Sequence, residues 1–337
     1  MESGTAGLAL TIPGSIVRSA GRGASLSIRL SAVIVAATID EPRVLTVRIG
    51  REPVEALPSG PLEIEHRTLE VGLRSWVERQ TGQKLGYVEQ LYTFGDRDRI
   101  ETGGVRPSRA LTVAYLALSR EARTGGAVES VWQSWYRHFP WEDWRDGKPA
   151  ALAPLEERLA GWAKSAAGDV ERRLRAERLG LAFAPEWNEE LVLERYELLY
   201  EAGLIEEARR GPDNEPSTDD APVSGVPLAA DHRRILATAI GRLRGKIKYR
   251  PVVFELMPPS FTLLQLQRAV EALSGVRLHK QNFRRLVEQQ GLVEETGGIS
   301  AETGGRPARL VRFRREVLLE RPAPGLRLRA PRRAPGA

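Results

Sequence analysis

The stretch from Phe261 to Phe313 limits what this chain can fold into more than any other part of it. Thr262 stands before an apolar run (Leu263, Leu264, Leu266, Ala269, Val270, Leu273) spaced to form one buried face of a helix. Ser274-Gly275 breaks that run. A second amphipathic stretch, from about Leu278 to Gln290, sets Leu278, Phe283, Leu286 and Val287 on one side and Lys280, Gln281, Asn282, Arg284 and Arg285 on the other. Leu292-Val293-Glu294, a Gly-rich tip (Gly297, Gly298, Gly304, Gly305) and the alternating segment Ala308–Phe313 follow, which predicts a hairpin. Helix, turn, basic helix and hairpin, in that order, predict a winged helix-turn-helix.

Charge supports that reading. The chain has 50 Lys+Arg, 44 Asp+Glu and a net charge of +6. Residues 226–337 hold 22 Lys+Arg against 9 Asp+Glu, whereas the first 225 residues hold 28 against 35. A basic module on an acidic body suits a polyanion partner at one end only. By itself the same charge also fits a solvated basic surface with a basic tail. Placed on the helix-turn-helix pattern, it favours double-stranded DNA. Gln281, Asn282 and Arg284 are of the types that read base edges in the major groove. Lys280 and Arg285 are placed for phosphates, and Arg306 sits at the wing within reach of phosphate or minor groove. Thr262 and Arg309 complete the candidate DNA-binding set.

Other compositions narrow the class. With 42% apolar residues and 28% charged over 337 residues, two or three domains with a sizeable core are expected. No run of some eighteen apolar residues occurs, so no membrane span is expected, and the apolar Leu30–Ala37 reads as a buried strand, not a signal peptide. Zero cysteines exclude disulfides and Cys-ligated metals, and four scattered histidines argue against a His-rich metal site. A cytoplasmic location is expected.

Residues 1–24 are Gly/Ser/Ala-rich and read as a loose arm. From 25 to 125 the pattern gives strands at Ser25–Ile39 and Val44–Ile49, a turn at Leu57-Pro58-Ser59-Gly60, and a helix from Thr68 to about Gln80, stopped by Gly82. Leu69, Leu73, Trp76 and Val77 would be its inner face. Further strands are expected at Tyr87–Phe94 and Ala110–Leu118, which makes an α/β or α+β sandwich. Between those two strands Arg97, Arg99, Arg106 and Arg109 crowd a loop with Gly103 and Gly104. This loop is a candidate anionic-ligand site, with a flexible solvated loop as the alternative.

From 126 to 210 the chain reads as helical and Trp-rich, holding six of the seven tryptophans. At that spacing they are expected in a core or interface, in a helical subdomain or dimerisation element. His138, beside Glu142 and Asp143, admits an acid-base or metal reading, but a structural histidine is favoured because no second histidine is near. Residues 211–227 read as an acidic, Pro-rich linker. Residues 228–320 hold the DNA-binding module, opening with an amphipathic helix from His232 to about Arg244 and a short apolar strand at Val252–Leu256. Residues 321–337 read as a disordered basic tail.

Leu57-Pro58-Ser59-Gly60, the helix ending Gln80-Thr81-Gly82, and Leu91-Tyr92-Thr93-Phe94-Gly95-Asp96 resemble a Nudix domain, of the ADP-ribose branch and its regulator offshoots. In active members the helix carries acids that bind divalent metal. Anchored on Thr81-Gly82, those positions here are Trp76, Arg79 and Gln80, so the resemblance implies a domain that has lost hydrolysis and needs no metal or cofactor. Glu78, one turn from Arg74, is expected in a surface ion pair. Arg242-Leu243-Arg244-Gly245-Lys246, Tyr249-Arg250-Pro251, Phe254-Glu255-Leu256, Phe261-Thr262-Leu263, Asn282-Phe283-Arg284-Arg285 and Gly304-Gly305-Arg306-Pro307-Ala308 are similar to the C-terminal domain of Nudix-related transcriptional regulators of NAD metabolism. His138-Phe139-Pro140-Trp141 points to their NadQ-type branch. The expected fold is therefore α+β: a Nudix-like α/β/α sandwich, a helical middle segment and a C-terminal winged helix-turn-helix. The resemblance implies a homodimer on a palindromic operator, repressing NAD-synthesis genes and answering to a nucleotide such as NAD, ADP-ribose or ATP. An active Nudix pyrophosphohydrolase with an accessory DNA-binding domain and a ligand-independent DNA-binding protein are the rival readings.

Overall fold

A computed structural model gives the fold, and it describes residues 16–18, 25–49, 54–95, 108–210, 224–300, 307–320 and 325–326. An eight-stranded sheet organises the first half. Its path is β4 (Val54–Ala56), β3 (Pro42–Ile49), β2 (Ser25–Ala37), β7 (Ser108–Leu118), β6 (Tyr87–Phe94). β1 (Ile16–Arg18) and β5 (Ser59–Pro61) add to β2, and β8 (Ser130–Ser134) adds to β3. The centre is a long parallel pair, β2 with β7, in register from Ser25 opposite Ser108 to Val35 opposite Leu118. A parallel pair needs both faces covered, which explains the near-continuous apolar run of β2.

One face carries Leu30, Ala32, Ile34 and Ala36 against Leu73 and Val77 of α1 (Leu69–Thr81). Local signals set that helix: the Thr68 hydroxyl accepts from Val71 N, and Gly82 ends it at φ 72°. The opposite face, with Val33 and Val35, meets the tryptophan-bearing segment and the helices that follow it. These are α2 (Leu152–Lys164), α3 (Asp169–Ala182), α4 (Val192–Glu201) and α5 (His232–Tyr249). α5 packs on α4 and on β2, β6 and β7, so the second helical layer of the sandwich comes partly from the C-terminal half.

Several boundaries move. The expected arm contains β1, and β8 carries the sheet past residue 125 into the segment expected to be helical. Trp132 is accordingly a strand residue, and Trp135–Arg137 and Pro140–Glu142 are single 3-10 turns. Trp135 and Trp141 are fully buried, as their core reading requires. His138 is buried too; its Nδ1 lies 2.8 Å from Val226 O, which fits the structural role. Val252–Glu255 is a 3-10 turn, not a strand, because Phe254 must fold under the hairpin to stack on Phe313 at 4.3 Å.

The linker expected at 211–227 lies mostly outside the described residues, and its described end does not hold two bodies apart. Ser224 is buried, and Val226 N donates to Arg137 O at 3.0 Å. Nor is all of 321–337 a free tail: Leu326 is fully buried and its N donates to Ile247 O at 3.2 Å. Body and C-terminal module share one core. Among the described residues no helix is long and apolar enough to cross a membrane.

Candidate nucleic-acid interface

α6 (Leu263–Ser274) begins at Thr262, whose hydroxyl accepts from Gln265 N at 3.2 Å while Gln265 Oε1 accepts from Thr262 N at 2.7 Å. This capping box fixes the helix start, and Gly275 at φ 75° ends it. Thr262 is only 2% exposed, so its hydroxyl serves the cap; as a DNA contact it is corrected. After the turn, α7 (Lys280–Gln289) buries Phe283 and Val287 and leaves Lys280, Gln281, Asn282, Arg284 and Arg285 exposed. All five expected α7 residues therefore reach solvent from one short helix. Arg285 Nη2 donates to Asn282 Oδ1 at 3.3 Å, which ties a phosphate-type side chain to a base-reading type.

β9 (Val293–Ser300) and β10 (Ala308–Phe313) form the wing, shifted in register between Arg309 and Val311. Phe261 adds a two-way backbone bridge to Val311, with N···O distances of 2.9 and 2.8 Å, which fastens the start of α6 to the wing. Gly297 and Gly298 of the expected tip lie within β9, and Gly304 and Gly305 lie outside the described residues. Arg306 lies there as well. Arg309 is exposed but bonded to Glu295 at 2.6 Å, and that hydrogen bond raises its pKa. Arg312 is paired likewise with Glu294 at 2.6 Å. Sequence reasoning passed over Arg268, an exposed residue of α6 with no ion pair among the described residues.

In the first half, Trp76 and Gln80 of α1 hold β5 by hydrogen bonds. Trp76 Nε1 donates to Pro61 O at 2.8 Å. Gln80 takes Ser59 N at 3.1 Å and gives to Ser59 O at 2.9 Å. The Arg79 guanidinium lies 4.0 Å from the centre of the Trp76 ring. A Cβ on Gly60 would stand 2.1 Å from that ring, so the glycine permits the indole to fill the space. An indole, a guanidinium and an engaged amide do not fit a divalent cation. Glu78 pairs with Lys84 at 3.6 Å, and Arg74 pairs instead with Glu70 at 2.8 Å. Arg97, Arg99 and Arg106 lie outside the described residues; Arg109 belongs to β7, opposite Leu26, with its side chain undescribed.

Residues 253–313 match the NrtR DNA-binding winged helix domain. The curated ADPR-responsive transcriptional repressor NtrR of Acinetobacter baylyi is 45% identical over 86 residues, 26% of this chain and 34% of that protein. The sequence match thus spans about a third of that relative's length. Shewanella oneidensis NrtR, in a crystal structure with a 27mer DNA, is similar at a TM-score of 0.52 and 21% identity, covering 86% of this chain and 94% of that one. A MutT/nudix family protein from Enterococcus faecalis is similar at a TM-score of 0.51 and 16% identity, covering 88% and 90%. The two structural likenesses bear on the fold alone. The fold is thus like that of these two solved structures, with residues 253–313 similar to the NrtR DNA-binding winged helix domain.

Proposed function

We propose that this chain is a DNA-binding transcriptional repressor whose Nudix-like half senses a nucleotide and does not hydrolyse it. The observation that carries this reading is the face of α7, where Lys280, Gln281, Asn282, Arg284 and Arg285 stand exposed over buried Phe283 and Val287. Gln281, Asn282 and Arg284 would read base edges, with Lys280 and Arg285 on phosphates. Arg306, Arg309 and the newly seen Arg268 would add backbone contacts. The name of the Acinetobacter relative supports ADP-ribose as effector, ahead of NAD and ATP. Trp76, Arg79 and Gln80 support a sensor over an enzyme, since the Trp76 and Gln80 side chains are engaged in holding β5 and the Arg79 cation lies over the indole.

A homodimer on a palindromic operator upstream of NAD-synthesis genes completes the reading. Val170, Leu174 and Leu181, 74%, 53% and 72% exposed on one side of α3, are apolar surface that a second copy would cover. Arg97, Arg99, Arg106 and Arg109 remain candidates for the effector's anionic groups. The test is binding to DNA upstream of NAD-biosynthesis genes at fixed salt, with unrelated duplex as competitor and ADP-ribose, NAD or ATP added in turn. Selective binding that one nucleotide shifts is the expected result. Equal affinity for unrelated duplex under every nucleotide overturns the reading.

A further inference from the structure

The last carbonyls of an α-helix have no partner within it. At the end of α6, the first helix of the helix-turn-helix, the partners come from the body of the protein. The Tyr136 hydroxyl donates to Ala272 O at 2.7 Å, Arg244 Nε donates to Leu273 O at 3.0 Å, and Trp144 N donates to Gly275 O at 2.8 Å. Tyr136 and Trp144 belong to the Trp-rich segment, and Arg244 to α5. All three meet at the turn before α7. A Cβ on Gly275 would stand 2.5 Å from Glu142 O and 2.9 Å from both Arg244 Nη2 and the Tyr136 hydroxyl, so only glycine lets the body come this close.

Tyr136 joins that turn to the sheet. It follows directly on β8, which is paired with β3 from Ser130 opposite Val47 to Ser134 opposite Arg43. Its buried ring stands edge-to-face on Trp135, with centroids 6.0 Å apart. α6 also packs on β2 and β3. Beyond the carbonyls, the buried Glu271 carboxylate accepts from Gln267 Nε2 at 2.8 Å and from Leu278 N at 2.9 Å, which fixes the entry to α7. A continuous path of covalent and hydrogen bonds therefore leads from β3 through β8 and Tyr136 to the end of α6, and on to the start of α7.

We propose that Tyr136 is a positioning residue for DNA recognition: its hydroxyl, seated on the end of α6, sets the direction in which the body presents α7. This rests on the DNA-binding homodimer reading above and identifies what holds each reader in place. Two recognition helices engage two half-sites together only where their separation matches the helical repeat of the duplex. A turn held by the body supplies that separation before DNA arrives, and such preorganisation turns two weak contacts into one tight one. Tyr136 is itself buried and touches no DNA. Loss of its hydroxyl leaves the exposed side chains of α7 in place, so contact with a single half-site persists while the gain from the second half-site falls.

The test is fluorescence anisotropy at fixed salt with the full chain, wild type and Tyr136→Phe, on two duplexes. One is the tightest-binding duplex selected from random sequence with wild type; the other is the same duplex with one half scrambled. Phenylalanine keeps the ring and its contact with Trp135, and removes the O–H alone. The expected result is that Tyr136→Phe binds the half-scrambled duplex within about twofold of wild type, and the intact duplex about fivefold or more weaker. Wild-type affinity retained on both duplexes overturns the positioning role while the DNA-binding reading stands. An equal loss on both makes Tyr136 a support of the fold alone, and overturns it too. A wild type that binds the intact duplex no tighter than the half-scrambled one overturns the homodimer reading and the proposal together.

Discussion

Glu142 lies 2.6 Å from Arg244, an ion pair between the Trp-rich segment and α5 in which both side chains are fully buried. Arg195 of α4 completes the group at 2.6 Å from the same carboxylate. Burial alone would raise the Glu142 pKa, but the two guanidiniums hold it below the usual carboxylate range. The carboxylate therefore fastens the Trp-rich segment to α4 and α5. Glu142→Gln leaves two buried guanidiniums uncompensated and is expected to cost on the order of 3 kcal/mol, read by denaturant unfolding. The linkage sign follows from a lowered folded pKa: the stabilisation is present above the unfolded value and lost as pH falls through the folded one. Wild type is thus expected to lose this contribution only below about pH 4, and the variant should lack that part of the acid transition.

His232 gives a second pH dependence at higher pH. Its folded pKa of about 3 lies below the ordinary 6.5, so between those values the unfolded chain takes up a proton that the folded ring refuses. Stability from this source is full above about 6.5 and falls by up to about 1.4 kcal/mol per pH unit on acidification. His138, whose pKa burial lowers as well, adds a slope of the same sign. Melting temperatures of wild type and His232→Asn should converge between pH 6.5 and pH 4, since only wild type carries the His232 slope. Parallel curves over that range would refute the assignment.

How much the sequence disclosed depended on distance along the chain. α1 was legible because Thr68 and Gly82 act within one turn of the helix they bound. α7 was legible because Phe283 and Val287 stand one turn apart beneath the exposed residues. Thr262 carried the right cap signal, but its burial depends on Phe261 bridging Val311, fifty residues away. Val252–Glu255 is a short apolar run whose period cannot separate strand from turn; contact with Phe313 decides it. His232 bonds Leu57 N across a separation of 175 residues, and no local pattern marks either one.

The Nudix-like helix predicts metal-independent sensing. Trp76 and Gln80 hold β5 through hydrogen bonds of 2.8 to 3.1 Å, and the Arg79 cation lies over the indole. Affinity for ADP-ribose should change by less than about twofold between Mg²⁺ and EDTA, a shift within the range that surface charge screening alone produces. No AMP should form from ADP-ribose in either buffer. Magnesium-dependent release of AMP, followed by chromatography, would restore the hydrolase reading.

On α7, the side chains divide by what they touch. Gln281→Ala or Asn282→Ala removes a base-edge contact, with an expected loss of about 1–3 kcal/mol on the preferred operator and little on unrelated duplex. Lys280→Ala removes a phosphate contact. It should weaken binding to every sequence alike and reduce the slope of log K against log salt by about one. Arg285 stands between the two classes, because its guanidinium also bonds Asn282 Oδ1 at 3.3 Å. Arg285→Ala therefore frees the asparagine amide as well as dropping a charge, so both the salt slope and the base preference should fall. Fluorescence anisotropy at three salt concentrations, on operator and scrambled duplex, separates the outcomes. If Arg285→Ala alters the slope alone, the bond to Asn282 plays no part in orienting the reader.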